Sequence, residues 1–522
     1  MKLALVYCPF FTNGEYPPLG LACINAALRQ AGHETVCFDF CWFAARKCEQ
    51  EMHLIREFFP LARVKDEVVF ALAPELGLFL LYGEDAKRFQ WRLAYDGDYK
   101  PAAVALCLSL WNLVPRWASL VLAQNPEAVF FSTYSSNYFL SLYFAKQIRK
   151  LRPGLPLIFG GPGSSLPELR EFALSTGLVD GLVCGEGEMT VTELCADLGG
   201  NLAEGVPGLA VRKKGTTVYE PRELAPDLDA LPRPDFQGLP FPGAPFSAYN
   251  REAAGNYLAH GGFPVYSTRG CVNRCAYCSE SVYWKKFRQR GVENVIGEIA
   301  SIREQYRESR FAFGDSALNG RPGWLEQFCD RLGPSPSRSV FWSYLIPDKS
   351  INDELAQKMF RAGFANVSLG VETFSATIRK RINKGMDGDQ LFAVLPALTR
   401  AGVNVVAHLL AGFPGETEDE FETSVGYIEK WNRLPASERG PGKLYWEAGH
   451  RVRIEAYSRF YTRPDQYGIK IFPYQIPLPE ELSRLREPLS GILLKWRHGV
   501  DEQTFQKRSR RMKQIAHPRL AI

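Results

Sequence analysis

Three cysteines stand close together, Cys271, Cys275 and Cys278, in the run Ser267-Thr-Arg-Gly-Cys-Val-Asn-Arg-Cys-Ala-Tyr-Cys-Ser279. The C-x3-C-x2-C spacing puts three thiols on one short loop. Thiolates select zinc, Cu(I) or iron–sulfur clusters. A structural zinc site takes four protein ligands. No nearby Cys or His completes such a set, because Cys329 is isolated and His260 lies ahead of the preceding apolar run. A [4Fe–4S] cluster on three cysteines leaves one iron open to a further ligand. The spacing therefore points to such a cluster, with zinc as the alternative.

Other chemistry-bearing residues recur downstream. They are Gly314-Asp315, Ser343, Gly370-Val-Glu372, Lys384-Gly385 and Gly412-Phe-Pro-Gly-Glu-Thr417. Glycines let a backbone approach a ligand closely, and a carboxylate can bind ribose hydroxyls. Each of these motifs taken singly is common by chance.

The elements that must position them follow from periodicity. Pro264-Val-Tyr-Ser-Thr268 reads as a short strand, so the cysteines sit at its C-terminal end. Further strands are expected at 311–313, 340–345, 366–369, 404–411 and, for a sixth, Arg453–Tyr457. Helices fall between them, two of them closing at Gly363 and Gly402. Six strand–helix units imply a partial (β/α)6 barrel over residues 260–460, whose strand ends gather the site.

Residues 1–200 also alternate strand and helix, with strands near 3–7, 35–39, 128–133, 155–159 and 182–184. This predicts a doubly wound, Rossmann-like α/β domain. A mostly helical insertion rich in Leu, Phe and Trp is expected at about 45–125. Strand ends carry Tyr134-Ser135-Ser136, Gly160-Gly161 and Gly185-Glu186-Gly187-Glu188. Residues 201–259, punctuated by prolines, read as an extended connector. Residues 461–522 read as a small α-rich C-terminal region. There Lys507, Arg508, Arg510, Arg511 and Lys513 form a basic run, with a solvated helix face as the default expectation.

Taken together, the three cysteines, with Tyr277 just before the last, resemble the signature of the radical S-adenosylmethionine (SAM) superfamily. The Pro17-Pro-Leu-Gly20 turn, Gly160-Gly161, Gly185-Glu-Gly-Glu188 and Leu231-Pro-Arg-Pro-Asp235 resemble its cobalamin-binding subclass. The resemblance implies that Cys271, Cys275 and Cys278 hold a [4Fe–4S] cluster. It implies that Glu372 binds the ribose of SAM, with Tyr277, Gly314, Asp315, Ser343, Gly370, Gly412 and Pro414 around the same cofactor. It implies that Tyr134, Ser135, Gly160, Gly161, Gly185, Glu186 and Gly187 lie along cobalamin. There is a departure: the loop Cys8-Pro-Phe-Phe-Thr-Asn-Gly14 has no histidine to ligate cobalt.

The implied activity is methylation of an unactivated carbon, or of phosphorus, in a natural product or peptide. A SAM-derived radical would activate the acceptor and cobalamin would supply the methyl. The alternatives are a radical cyclisation, rearrangement or oxidation with the same cofactors, or a non-catalytic iron–sulfur or zinc protein. The implied partners are a small-molecule or peptide substrate and a reductant such as flavodoxin or ferredoxin.

Composition narrows the classes. A chain of 522 residues with 46% hydrophobic content has room for two to four domains. Its net charge of +5 is mild and gives no reason to expect a nucleic-acid partner. Twelve scattered cysteines suit a reducing, cytoplasmic setting. The apolar stretches 68–83 and 102–123 are broken by Pro74-Glu75 and Pro115-Arg116, so no membrane span is expected.

Overall fold

The computed structural model describes residues 1–8, 17–40, 81, 112–134, 137–196, 198, 205–239, 262–333, 339–455, 457–473, 494–497 and 500–517. The described residues fall into two compact units. The first holds the strands up to residue 226, and the second holds those from residue 262 onward.

The first unit is a seven-stranded sheet in the order β2-β1-β3-β4-β5-β6-β7. Its strands are β1 Lys2–Tyr7, β2 Glu34–Asp39, β3 Ala128–Ser132, β4 Leu157–Gly160, β5 Gly181–Val183, β6 Leu209–Lys213 and β7 Thr216–Tyr219. The first five are parallel. Strand alternation divides their side chains between two faces. Ala4, Val6, Phe131 and Phe159 pack with Phe144 of helix Tyr138–Leu151 and Phe172 of helix Pro167–Ser175. Leu3, Leu5 and Ile158 are buried on the opposite face of their strands. Trp117 stacks on Phe40, ring centroids 4.7 Å apart. Most of the insertion expected at 45–125 lies outside the described residues.

One reading changes here. Part of the stretch taken as an extended connector is a hairpin, β6–β7, that continues the sheet antiparallel to β5. Leu-Ala-Val-Arg and Thr-Thr-Val-Tyr flank Lys214-Gly215, both with positive φ (45° and 85°). Two such residues between β-prone runs make a tight hairpin turn.

The second unit is a six-stranded sheet in the order β15-β14-β13-β12-β11-β8, every neighbouring pair parallel. These strands are β8 Phe263–Val265, β11 Arg310–Phe313, β12 Val340–Leu345, β13 Phe364–Glu372, β14 Asn404–Ala411 and β15 Leu444–Arg451. Two short strands, β9 Thr268–Arg269 and β10 Arg288–Gln289, pair antiparallel beside them. Each strand neighbours the next in sequence and the order never reverses. Right-handed crossovers repeated in one direction give a partial barrel, not a Rossmann sheet. Phe313 and Phe341 meet Phe328 of helix Trp324–Leu332, so this face of the strands carries the helical layer.

The sixth strand is Leu444–Arg451, not the expected 453–457. Trp446 and Ala448 are buried on alternate positions and pair with Ala407 and Leu409 of β14. Ile454 instead joins an apolar cluster beneath the cysteine loop. In the C-terminal helix Glu502–Ala516, Lys507, Arg510, Arg511 and Lys513 are exposed as expected, and Arg508 is the exception, 5% exposed and paired to Glu416 and Glu418.

Candidate active site

The cysteine loop is closed at its base by the β9–β10 pair, where Arg288 faces Arg269 and Gln289 faces Thr268. Gly270 has φ of 86°, and a Cβ there would lie 2.8 Å from Lys286 O, so the base admits no side chain. The loop's far side rests on Ile378, Ile382, Phe413, Val452, Ile454 and Phe460, a cluster that receives Ala276. Ala276 N donates to Ile382 O, and Phe460 N donates to Ala276 O. Asn383 Nδ2 donates to Arg274 O at 3.0 Å.

Cys271, Cys275 and Cys278 are half-buried on this loop. Burial raises all three thiols, Cys278 to about 12, and each lies within electrostatic reach of another. Among the described residues no three Cys, His, Asp or Glu side chains close to metal-binding distance. Thiols held protonated in this way release protons when a metal binds. Three soft donors on one clamped loop fit an iron–sulfur cluster better than a hard cation.

Beside the loop, β13 ends in Gly370-Val-Glu372. Glu372 sits at φ of 65°, just past a register shift in the β13–β14 pairing. Its Oε1 pairs with Lys384 Nζ at 2.9 Å, with side chains 13% and 8% exposed. A Cβ on Gly370 would lie 2.7 Å from that oxygen and 3.0 Å from that nitrogen. The missing side chain lets the ion pair lie directly against the backbone at Gly370. The Tyr277 hydroxyl lies near both Glu372 and Cys275, and its ring packs near Phe413 and Phe460. Burial, reinforced by Glu372, keeps that hydroxyl protonated.

Arg379 holds this corner together. It is 2% exposed, and its guanidinium donates only to backbone carbonyls. These are Val371 at 2.8 Å, Thr373 at 3.1 Å, Met386 at 2.9 Å, and Gly385. It therefore ties the end of β13 to the Lys384-Gly385-Met386 turn. Sequence reading missed it, since an arginine in a short helix carries no motif.

The remaining SAM candidates separate. Asp315 is fully buried and accepts from Ser267 N at 3.0 Å and Ser267 Oγ at 2.9 Å. Burial raises its carboxyl to about 6, with Ser267 and Thr268 pulling the other way. It anchors the turn that leads into the cysteine loop. Gly314 N donates to Val265 O and continues the strand register. Gly412 N donates to Glu416 Oε2 at 2.8 Å, and Pro414 O accepts from Arg381. Ser343 needs correction. It shares a face of β12 with Phe341, which packs on the helical layer, and it is completely buried. Trp342 and Tyr344 occupy the other face, because neighbouring strand residues point opposite ways.

In the first unit, the ends of β3, β4 and β5 bring Tyr134, Gly160, Gly161 and Gly185–Gly187 to one edge of the sheet. Ser135 lies outside the described residues. Gly161 and Gly187 are committed to internal packing, since added Cβ atoms would sit 2.7 Å from Thr133 O and 2.8 Å from Ile24 Cδ1. Glu186 accepts from Ala225 N at 2.8 Å, which holds the strand-following segment. Tyr134 N donates to the buried Asn137 side chain at 2.7 Å. Gly185 has open space on its Cβ side, and Gly160 meets only ordinary contacts.

Comparison with known proteins places this geometry. The model of the radical SAM superfamily matches residues 265–428, which run from the first strand through the cysteine loop and the Glu372 corner. An uncharacterized methyltransferase of Pyrococcus horikoshii is 25% identical over 63% of this chain and 71% of its own length. A bacteriochlorophyllide d C-12(1)-methyltransferase of Chlorobaculum tepidum is 27% identical over 55% of this chain and 63% of its own. The match thus spans less than two thirds of that second relative. A solved structure of the radical SAM methyltransferase TsrM from Kitasatospora setae, with cobalamin and [4Fe–4S] cluster bound, aligns with 97% of this chain and 90% of its own. The TM-score is 0.62 at 15% identity, which makes it a likeness of fold. Residues 265–428 thus match the radical SAM superfamily model, and the fold of the chain is similar to that of the TsrM structure.

Proposed function

We propose that the chain is a cobalamin-dependent radical SAM methyltransferase. Its acceptor is an unactivated carbon, or phosphorus, of a small natural product or a modified peptide. The observation that carries the reading is the meeting of the three-cysteine loop with the Gly370–Glu372–Lys384 corner. Similarity to methyltransferases supports it from outside the site.

When bound, the cluster supplies an electron to the sulfonium of SAM, and cobalamin carries a methyl group. The chain's own residues do the rest. Cys271, Cys275 and Cys278 would hold three irons through thiolates, with the loop fixed by Asp315 at its base and by Phe413 and Phe460 beneath. Glu372 would accept from ribose hydroxyls, and Lys384 holds its carboxylate in place. The turn Gly412–Glu416 offers backbone to the adenine. Gly160 and Gly185 would let the corrin's nucleotide tail approach the first sheet, while Gly161 and Gly187 serve internal packing. An external one-electron donor such as a flavodoxin or ferredoxin completes the requirement.

The test is anaerobic turnover with SAM carrying a deuterated methyl, hydroxocobalamin, a reductant and an extract of the host cells. S-adenosylhomocysteine, 5′-deoxyadenosine and a labelled product should form in equal amounts. Deoxyadenosine with no label in any product would replace methyl transfer by a radical cyclisation or rearrangement. No SAM consumption at all would overturn the enzyme reading.

A further inference from the structure

A second constellation lies on the face of the barrel sheet opposite the helical layer. His408 of β14 pairs across the sheet with Glu447 of β15 on one side and with Gly370 of β13 on the other. The three residues therefore form one row, and Gly370 belongs to the corner already described. His408 Nδ1 is 3.0 Å from Glu447 Oε2, and His450 Nε2 is 3.5 Å from Glu447 Oε1. His408 Nε2 is buried from solvent and has no hydrogen-bond partner among the described residues.

One aromatic ring adjoins the imidazole, and a second extends the surface beyond it. Tyr344 lies 6.0 Å from the imidazole between ring centres and stays 42% exposed. Trp342, two residues earlier on the same face, packs edge-on against Tyr344 at 4.7 Å. Burial raises the Tyr344 hydroxyl, and the Glu447 carboxylate adds to it. A structural histidine in a packed strand satisfies both ring nitrogens. This one satisfies one and leaves the other without a partner among the described residues, beside the partly exposed Tyr344 ring.

The chemistry follows from the tautomer. Glu447 accepts from Nδ1, and in the neutral ring of that tautomer Nε2 presents its lone pair. Such a nitrogen accepts a hydrogen bond from an N–H or O–H. The adjoining rings favour a flat π surface, by offset or edge-on packing.

We propose that His408, oriented by Glu447 and adjoined by Tyr344 with Trp342 packed behind it, is the substrate anchor of this barrel and selects a planar aromatic or heteroaromatic group bearing an N–H or O–H donor. This deepens the methyltransferase reading and rests on it, adding that the acceptor lies on the sheet face beside Gly370.

The test uses the full, cluster-reconstituted chain with SAM and two matched probe pairs, indole against 1-methylindole and phenol against anisole. Binding is measured anaerobically by equilibrium dialysis. Wild type should prefer the donor-bearing member of at least one pair about tenfold, which is about 1.4 kcal/mol. His408→Ala should erase the preference, and Glu447→Gln should reduce it. His408→Gln, whose amide oxygen still accepts, should restore part of it. Tyr344→Ala, at an exposed position that tolerates truncation, should weaken both members of the pair equally.

Equal binding of donor and methylated probes to wild type would overturn the proposal. So would an undiminished preference in His408→Ala, or no binding of any probe. The two readings fail separately. Wild type that neither binds nor consumes SAM but keeps the indole preference loses the methyltransferase reading and retains the anchor. Wild type that methylates a product but shows no preference loses the anchor alone.

Discussion

At the residue scale, the site depends on two kinds of constraint, donor chemistry and available space. The donors are Cys271, Cys275 and Cys278. Each single Cys→Ser change should drop iron after reconstitution from about four per chain toward zero, because two thiolates cannot hold the cluster. Iron and sulfide quantitation with a visible spectrum reads this directly. Zinc in place of iron in the wild type would remove the radical chemistry altogether. Space is decided at Gly370. An alanine there meets Glu372 Oε1 at 2.7 Å and Lys384 Nζ at 3.0 Å, so both side-chain ends must shift from their present place. Gly370→Ala should therefore retain iron but bind SAM several-fold more weakly, as read by equilibrium dialysis. Unchanged SAM affinity would take Glu372 out of the ribose site. The sequence showed Gly370, Glu372 and even Lys384 as motifs. It could not show that the pair between the other two lies directly against the first. It also missed His408, although a lone histidine at an otherwise apolar β14 position was a visible signal.

At the scale of elements, the order and type of strands were legible because period-two apolar runs bounded by glycines are a local signal. What was not legible depended on facing and on distant partners. Ser343 was chosen over its neighbours by position alone, and one step along β12 moves a side chain to the other face. Arg508 alone of the basic run on the last helix is buried, and this was not legible because its partners, Glu416 and Glu418, lie some ninety residues earlier. That helix shapes the turn proposed to receive the adenine. Arg508 Nη1 donates to Glu416 Oε2 at 3.0 Å, and the same oxygen accepts from Gly412 N at 2.8 Å. Burial raises the Glu416 carboxyl to about 7 against the opposing pull of Gly412 and Arg508. A folded pKa above the unfolded value means that the native state binds the extra proton between about 4.5 and 7. Stability should therefore fall as pH rises through that window, by up to about 3 kcal/mol. In Glu416→Gln the fall should flatten. Thermal melts from pH 5 to 8 compare the two, and parallel curves would show that the carboxyl titrates elsewhere. Arg508→Met removes the other half of the contact and should weaken SAM binding several-fold without loss of iron.

At the scale of the whole chain, each of the two units has its own sheet and its own buried core, so each can respond to its own ligand. A ligand that binds only the native form stabilises it by about 2.7 kcal/mol at a hundredfold excess over its dissociation constant. Calorimetry of the cluster-loaded chain can then assign cofactors to units without any substrate. SAM should raise the transition of the barrel unit, and the Gly370→Ala variant should lose part of that shift. Hydroxocobalamin should raise the transition of the first unit and be retained at one corrin per chain after gel filtration. The second half of this prediction is the more exposed one. The cysteine loop is matched by donors of the right chemistry, whereas the first sheet offers mainly two uncommitted glycines, Gly160 and Gly185. A bulky residue at Gly160 would test that edge, since its Cβ side meets only ordinary contacts at 3.6 Å from Val183 and the sheet itself need not move. Gly160→Leu should lower corrin retention while leaving iron content and the SAM-linked shift intact. If wild type already binds no corrin, the first unit is a scaffold that has kept the fold without the cofactor. The methylcobalamin route would then be wrong, and any methyl transferred would have to reach the acceptor from SAM without a corrin carrier.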